Sequence, residues 1–218
     1  MELHPQKLSG HWTEGFALDL HTVSSTPKEY AKKIVEEKNP ITGETVKVEK
    51  EDRDKVIKWD TTYTAIGLEM NHLKYWEERG RVNTIAQEAA TFLAGKTGWK
   101  IDLLIPIPPS NTSRDFQPVD ELAKAVGTIC KLAVDFKSLK KLKSTSQLKE
   151  IEDPAKRREI LKDAFGISPS SLAGKNVLLF DDLYRSGETL NAVCDIIKNK
   201  GNAKNVYVLT ITKTRSKR

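Results

Sequence analysis

Asp181 and Asp182 stand side by side after four apolar residues, Val177, Leu178, Leu179 and Phe180. After Leu183 comes a turn of Tyr184, Arg185, Ser186, Gly187, Glu188 and Thr189. Ionised carboxylates only accept hydrogen bonds, so a neighbouring pair suits a vicinal diol and, directly or through water, Mg2+. Small residues that open a helix suit a phosphate, because the first-turn N–H groups lack partners within the helix and its dipole is positive there. The pattern thus predicts a ligand with hydroxyls at one end and a phosphate at the other, as in ribose 5-phosphate. An Asp-Asp pair alone reads equally as a solvated loop start able to cap a helix. The adjoining phosphate turn favours the binding reading.

Alternating strands and helices must position these groups. "NVLLF" reads as a buried strand, followed by a helix from Glu188 to Lys200, a Gly201-Asn202 turn and the strand "NVYVLTIT" at 205–212. Earlier, "IDLLIPIP" (101–108) reads as a strand ended by prolines. A helix at 119–134 follows, with Val119, Leu122, Ala123, Val126, Ile129, Cys130 and Ala133 on one face, and a charged helix is expected from about 154 to 164. The expectation is an α/β class with a mainly parallel central sheet flanked by helices, whose ligands bind at the carboxyl ends of the strands.

The first 98 residues read differently. Residues 29–59 are dense in alternating charge, a helix-like piece then a strand-like one, with turn signals at Asn39-Pro40 and Thr42-Gly43. Helical character returns over 61–80 and continues through Val82, Ile85, Ala86, Ala89, Phe92 and Leu93, with a stop near Gly95 and Gly98. The expected division is an N-terminal segment 1–98 carrying a charged insertion at 29–59, and a core 99–218, together one compact unit.

Composition bounds the function. With 218 residues, 38% hydrophobic and 30% charged, the chain reads as a globular protein with no long apolar run and no signal-like start, hence cytoplasmic and without a membrane role. Cys130 and Cys194 form no CxxC pair and read as two buried thiols. A net charge of +6 suits nucleic acid or a polyanionic small molecule. "LAGKTG" (93–98) fails as a P-loop, since Ala90 stands where a glycine is needed and a helix precedes it. His11, His21 and His72 read as structural or surface residues, and the basic C-terminal tail as solvated.

The stretch "VLLFDDLYRSGETL" resembles the phosphoribosyl pyrophosphate (PRPP) motif of the type I phosphoribosyltransferases. The resemblance implies their fold, with an N-terminal hood. By it, Asp181 and Asp182 would hold the ribose hydroxyls, and Arg185, Ser186, Gly187, Glu188 and Thr189 would wrap the 5-phosphate. Arg185 and Glu188 depart from the usual small residues. Arg185 either adds a contact to phosphate or points to solvent, and a Glu188 facing the pocket would weaken binding.

"IPIPPSNTSRDFQPVDELA" (105–123) resembles the ComF-like branch of that superfamily. By this likeness Pro108, Pro109, Ser110 and Asn111 would meet the pyrophosphate and Arg114 would add charge; otherwise this is a proline-terminated strand with a surface arginine. "LKKLKSTSQLKEIEDPAKRREILKDAF" (139–165) resembles the mobile loop of ComF-like proteins, with Lys141, Lys143, Thr145 and Gln147 at the matching positions and lysine where arginine is frequent. A merely solvated lysine-rich loop is the other reading. The Cys-rich zinc ribbon common in that branch is missing from this sequence.

The resemblance implies transfer of the 5-phosphoribosyl group from PRPP to a nitrogen nucleophile, a base or amine, with release of pyrophosphate. Asp181, Asp182, Lys143 and Arg114 would serve catalysis, and Mg2+ would be held at Asp181 and Asp182 through water or the ribose. A homodimer is compatible with it and nucleic acid is a secondary partner. The alternative is a catalytically silent PRPP-binding regulator or a ComF-like DNA-uptake accessory protein.

Overall fold

The computed structural model describes residues 1–111, 114–143, 160–161, 163–169 and 171–215. Most of the helix expected at 154–164 lies outside them. Two units are present: a body of Met1–His21 with Thr64–Arg218, and a ribbon of Thr22–Tyr63.

In chain order the strands are β1 (Gln6–Lys7), β2 (Glu14–Leu20), β3 (Thr22–Lys38), β4 (Thr45–Tyr63), β5 (Leu103–Pro106), β6 (Ala133–Val134), β7 (Leu139–Lys141), β8 (Phe165–Ile167), β9 (Asn176–Tyr184) and β10 (Asn205–Lys213). The described helices are α1 (Ala65–Tyr75), α2 (Arg81–Ala94), α3 (Pro118–Cys130) and α4 (Glu188–Asn199).

The body is a six-stranded sheet in the order β1-β2-β10-β9-β5-β6. Only β1 runs antiparallel to its neighbour. This is the expected α/β class with a mainly parallel sheet. The central strands β9 and β10 are apolar runs buried on both faces, as parallel strands covered by helices require. Because strand side chains alternate, Leu178, Phe180, Leu209 and Ile211 pack beneath α1, α2 and α3, against residues such as Ile66, Leu73, Ile85 and Leu122. Val177, Leu179 and Val208 face the other way, against Leu190, Val193, Cys194 and Ile197 of α4, whose spacing is that of one helical face. The antiparallel pair β7–β8 contributes Leu139 and Phe165 to this second core.

Within the body, three expectations change. β1 and β2 lie within the first 98 residues yet are strands of the central sheet, so a boundary at 98/99 cuts through it; Phe16, Ala17 and Leu18 are too short an apolar run to announce a central strand. The helical stretch expected to run on from 61 is two helices, parted around residues 76–80. Cys130 is half-buried, because α3 ends there in a left-handed Lys131 (φ 55°).

The ribbon is one antiparallel pair, β3 with β4, and it overturns the helix-like reading of 29–38. Cross-strand pairing decides the matter: Val35 lies opposite Val48, and Lys33–Asp52 (2.9 Å) and Lys32–Glu49 (3.1 Å) bridge the strands. At its tip Asn39 Oδ1 accepts from the N–H groups of Ile41 and Thr42, and Gly43 takes φ 71°. Nine basic and nine acidic side chains fall in residues 22–63, so the ribbon is neutral and the net +6 belongs to the body.

Candidate functional site

The carboxyl edge of the parallel strands gathers the sequence-predicted groups unevenly. β5 stops at Pro106, opposite Phe180, and the Ile107 N–H donates to the Phe180 carbonyl at 2.9 Å. Pro108, Pro109, Ser110 and Asn111 therefore leave the sheet where Asp181 begins. The Gln117 side-chain amide ties this loop by donating to the Asn111 and Arg114 carbonyls (2.9 and 3.0 Å). Arg114 itself is exposed.

Unlike β5, β9 continues to Tyr184, held on its other side by β10, where Thr210 pairs Asp181 and Thr212 pairs Leu183. Asp181 and Asp182 are thus strand residues beyond the end of one neighbour but not the other, rather than the first residues of a loop. Alternation continued from Val177–Phe180 turns Asp181 toward the α4 side and Asp182 toward α1.

Asp182 meets Lys74 there, its Oδ2 lying 2.5 Å from the Lys74 ammonium. Asp181 Oδ1 accepts the Asp182 N–H at 2.8 Å. Burial, and then the Asp182 charge, push the Asp181 carboxyl up to about 8, against the pull of that N–H and of Lys74. For Lys74, burial works against the charged form, but the Asp182 carboxylate outweighs it and the ammonium is held above its ordinary value. His21 lies near this pair, and its pKa is lowered by burial first and by the Lys74 charge second. Its Nδ1 is 3.2 Å from the Thr212 hydroxyl, which donates to the Asp182 carbonyl.

The placement of α1 explains how Lys74 arrives. Thr64 caps the helix, its Oγ1 accepting from Gly67 N–H (3.0 Å) while donating to the Leu20 carbonyl at the end of β2 (2.6 Å). Gly67 lets the helix lie against the backbone: a Cβ there would collide with the His21 carbonyl oxygen. Ten residues of helix span about 15 Å, and two strand spacings about 10 Å. From β2, α1 therefore runs across the carboxyl ends to Asp182 in β9.

On the other flank, the turn of Tyr184 to Ser186 enters α4 through Gly187, which has φ 78°. A Cβ at that glycine would stand 2.7 Å from the Tyr184 hydroxyl. Arg185 and Ser186 are exposed, while Glu188 and Thr189 are half-buried on the first turn of α4.

The lysines of the expected mobile loop sit on and beside β7. Lys141 pairs Phe165 across β7–β8 with its Nζ 5.9 Å from that ring, and Lys143 is 3.4 Å from Asp163. Burial lowers the Lys141 pKa. Thr145 and Gln147 lie outside the described residues. The sequence reading gives Lys74 no role, because a lone lysine in "HLKYW" carries no ligand signature of its own. Its only signal is a lysine in the last turn of a helix crossing the strand ends, which needs the fold.

Among the described residues no group of three or more His, Cys, Asp or Glu side chains could hold a metal ion. With Lys74 on Asp182 and Asp181 disposed to keep its proton, the pair does not fit a resident Mg2+ bound by protein groups alone. No described helix is long and apolar enough to cross a membrane.

No family model matches the chain, and no curated protein matches it. Among solved structures, it is similar to a hypoxanthine phosphoribosyltransferase from Staphylococcus aureus in two crystal forms. The tetragonal form gives 15% identity over 63% of this chain and 67% of that one, with a TM-score of 0.38. The orthorhombic form gives 17% over 63% and 68%, with a TM-score of 0.35.

Proposed function

We propose that this chain is a PRPP-dependent phosphoribosyltransferase of the type I superfamily, ComF-like in its motifs, which transfers the 5-phosphoribosyl group to a nitrogen nucleophile and releases pyrophosphate. The observation that carries the reading is the acid pair, with a small-residue turn entering α4 on one side and the 108–111 loop opposite, all at the carboxyl edge of a parallel sheet.

Asp181 and Asp182 hold the ribose, Arg185, Ser186, Gly187, Glu188 and Thr189 take the 5-phosphate, and Pro108, Pro109, Ser110, Asn111 and Arg114 meet the pyrophosphate. Asp181 and Asp182 would meet a Mg2+ brought with PRPP through water or the ribose, and the ion would supply charge balance for the leaving pyrophosphate. The acceptor displaces pyrophosphate at C1 of the ribose, and the protein holds the sugar in place and balances the charge that builds on the leaving group. Lys143, with Lys141, Thr145 and Gln147, supplies part of that balance. The protein acts in the cytoplasm, and a homodimer is compatible with this role.

Calorimetric titration with PRPP, with and without Mg2+, tests the site, and pyrophosphate release against a panel of bases and amines tests the reaction. Binding lost in Asp181→Asn/Asp182→Asn, with the melting transition retained, is the expected result. Equal affinity in that variant refutes the site.

The neutral ribbon leaves the whole +6 on the body, which favours a second reading as a PRPP-binding accessory protein that handles DNA. Salt-dependent binding of single-stranded DNA without pyrophosphate release distinguishes it.

A further inference from the structure

A buried carboxylate is an awkward neighbour for a polyanion. PRPP carries a phosphate and a pyrophosphate, and an uncompensated Asp182 carboxylate under its ribose would repel both. The structure compensates one acid with Lys74, a residue to which the sequence reading gives no role. Lys74 is the one lysine of α1, its side chain is 30% exposed, and its ammonium lies 2.5 Å from an Asp182 carboxylate that is 13% exposed. Such a partly buried pair is screened by salt less than a surface pair. Loss of the ammonium would leave the Asp182 carboxylate uncompensated beside Asp181.

The helix is placed for this contact. Thr64 anchors its start to the Leu20 carbonyl, and Gly67 lets it lie against His21, so the last turn arrives over Asp182 and the ammonium faces the ribose-binding carboxylate.

We propose that Lys74 is a positioning residue that neutralises Asp182, so that the acid pair can bind the hydroxyls of a sugar bearing several anionic groups. The proposal rests on the PRPP reading and adds a requirement: the acid pair works only with a cation supplied by α1. The lysine acts through Asp182, and its contribution grows with the charge on the ligand.

The test is calorimetric titration of the full chain with PRPP and with ribose 5-phosphate, at low and high salt, for the wild type, Lys74→Met and Lys74→Arg. Lys74→Met is expected to weaken PRPP roughly tenfold at low salt, between the loss for an exposed pair and that for a fully buried one. Ribose 5-phosphate, with fewer charges, should lose less, high salt should shrink both losses, and Lys74→Arg should restore most of the affinity. Wild-type affinity in Lys74→Met overturns the proposal. Equal, salt-independent losses for both ligands overturn it too, because a lysine that merely holds α1 in place would act on both alike. If Lys74→Met fails to fold, Lys74→Arg carries the test: it keeps the charge, so a tenfold loss there contradicts a role through charge. Wild-type protein that binds neither ligand refutes the PRPP reading itself, a result distinct from a wild type that binds and a Lys74 variant that binds equally well.

Discussion

Asp181 and Asp182 are adjacent in the chain, yet they leave β9 on opposite faces of the sheet, Asp182 toward Lys74 and Asp181 toward α4. Among the described residues, Asp182 has a cation in contact and Asp181 has none. Asp181, with its pKa pushed up to about 8, costs the ligand-free protein stability whenever it must ionise. A carboxyl raised in the folded state binds its proton more tightly there than in the unfolded chain. Its contribution is therefore fully present below the unfolded value near 4 and is lost as pH rises through about 8. Asp181→Asn should melt higher than wild type at pH 8.5, by several degrees at roughly 2–4 °C per kcal/mol, with the gap closing toward pH 5. A gap that stays constant with pH would contradict this.

Gly67 is the second test of how the site is held. Gly to Ala inside a helix normally stabilises by about 1 kcal/mol. Here the added Cβ would meet the His21 carbonyl, so Gly67→Ala should instead destabilise by about 1–3 kcal/mol, the usual scale of overpacking. Thermal melts give the sign, and an increase in melting temperature would show that α1 is not pressed against the end of β2.

The two thiols should separate cleanly. Cys194 is fully buried, and burial pushes its pKa up to about 12, whereas Cys130 is half-exposed at the end of α3. A thiol reagent at pH 8 should titrate one cysteine in the native protein and two after denaturation. Cys130→Ser should remove the native reaction. Rapid reaction of that variant would place Cys194 within reach of solvent.

The ribbon should be dispensable for folding. The Thr64 N–H donates to the His21 carbonyl where the chain leaves and re-enters the body, and the β3–β4 ladder pairs the ribbon's own two strands. With residues 22–63 replaced by a short glycine linker, the body should unfold cooperatively within a few degrees of the full chain. Loss of cooperative melting would show that the body depends on the ribbon.

Much of the body was legible because its apolar runs are unambiguous. "NVLLF" and "NVYVLTIT" are too apolar to be anything but buried, and the spacing of Leu190, Val193, Cys194 and Ile197 is helical. β2 was not, since Glu14 and Asp19 frame only a short apolar stretch; it becomes central by pairing with β10, nearly two hundred residues away. The ribbon misled for a related reason. In "EYAKKIVEEK" the lysines and glutamates fit helical spacing as well as strand alternation, and the partner that decides, β4, comes after the turn. The acids and the phosphate turn were visible as a motif, but Lys74 was not, because its nearness to Asp182 depends on the path of α1.

The ribbon also bears on the order in which the chain assembles. Joining the end of β2 to the start of α1 closes a loop of roughly forty residues, which as flexible chain costs about 3 kcal/mol in entropy. A hairpin zips from its tip within microseconds, and once β3 and β4 have paired down to Thr22 and Tyr63, His21 and Thr64 are already neighbours. What looks like a long detour in the sequence then behaves kinetically as a short splice, so the body can fold as though its two segments were nearly continuous.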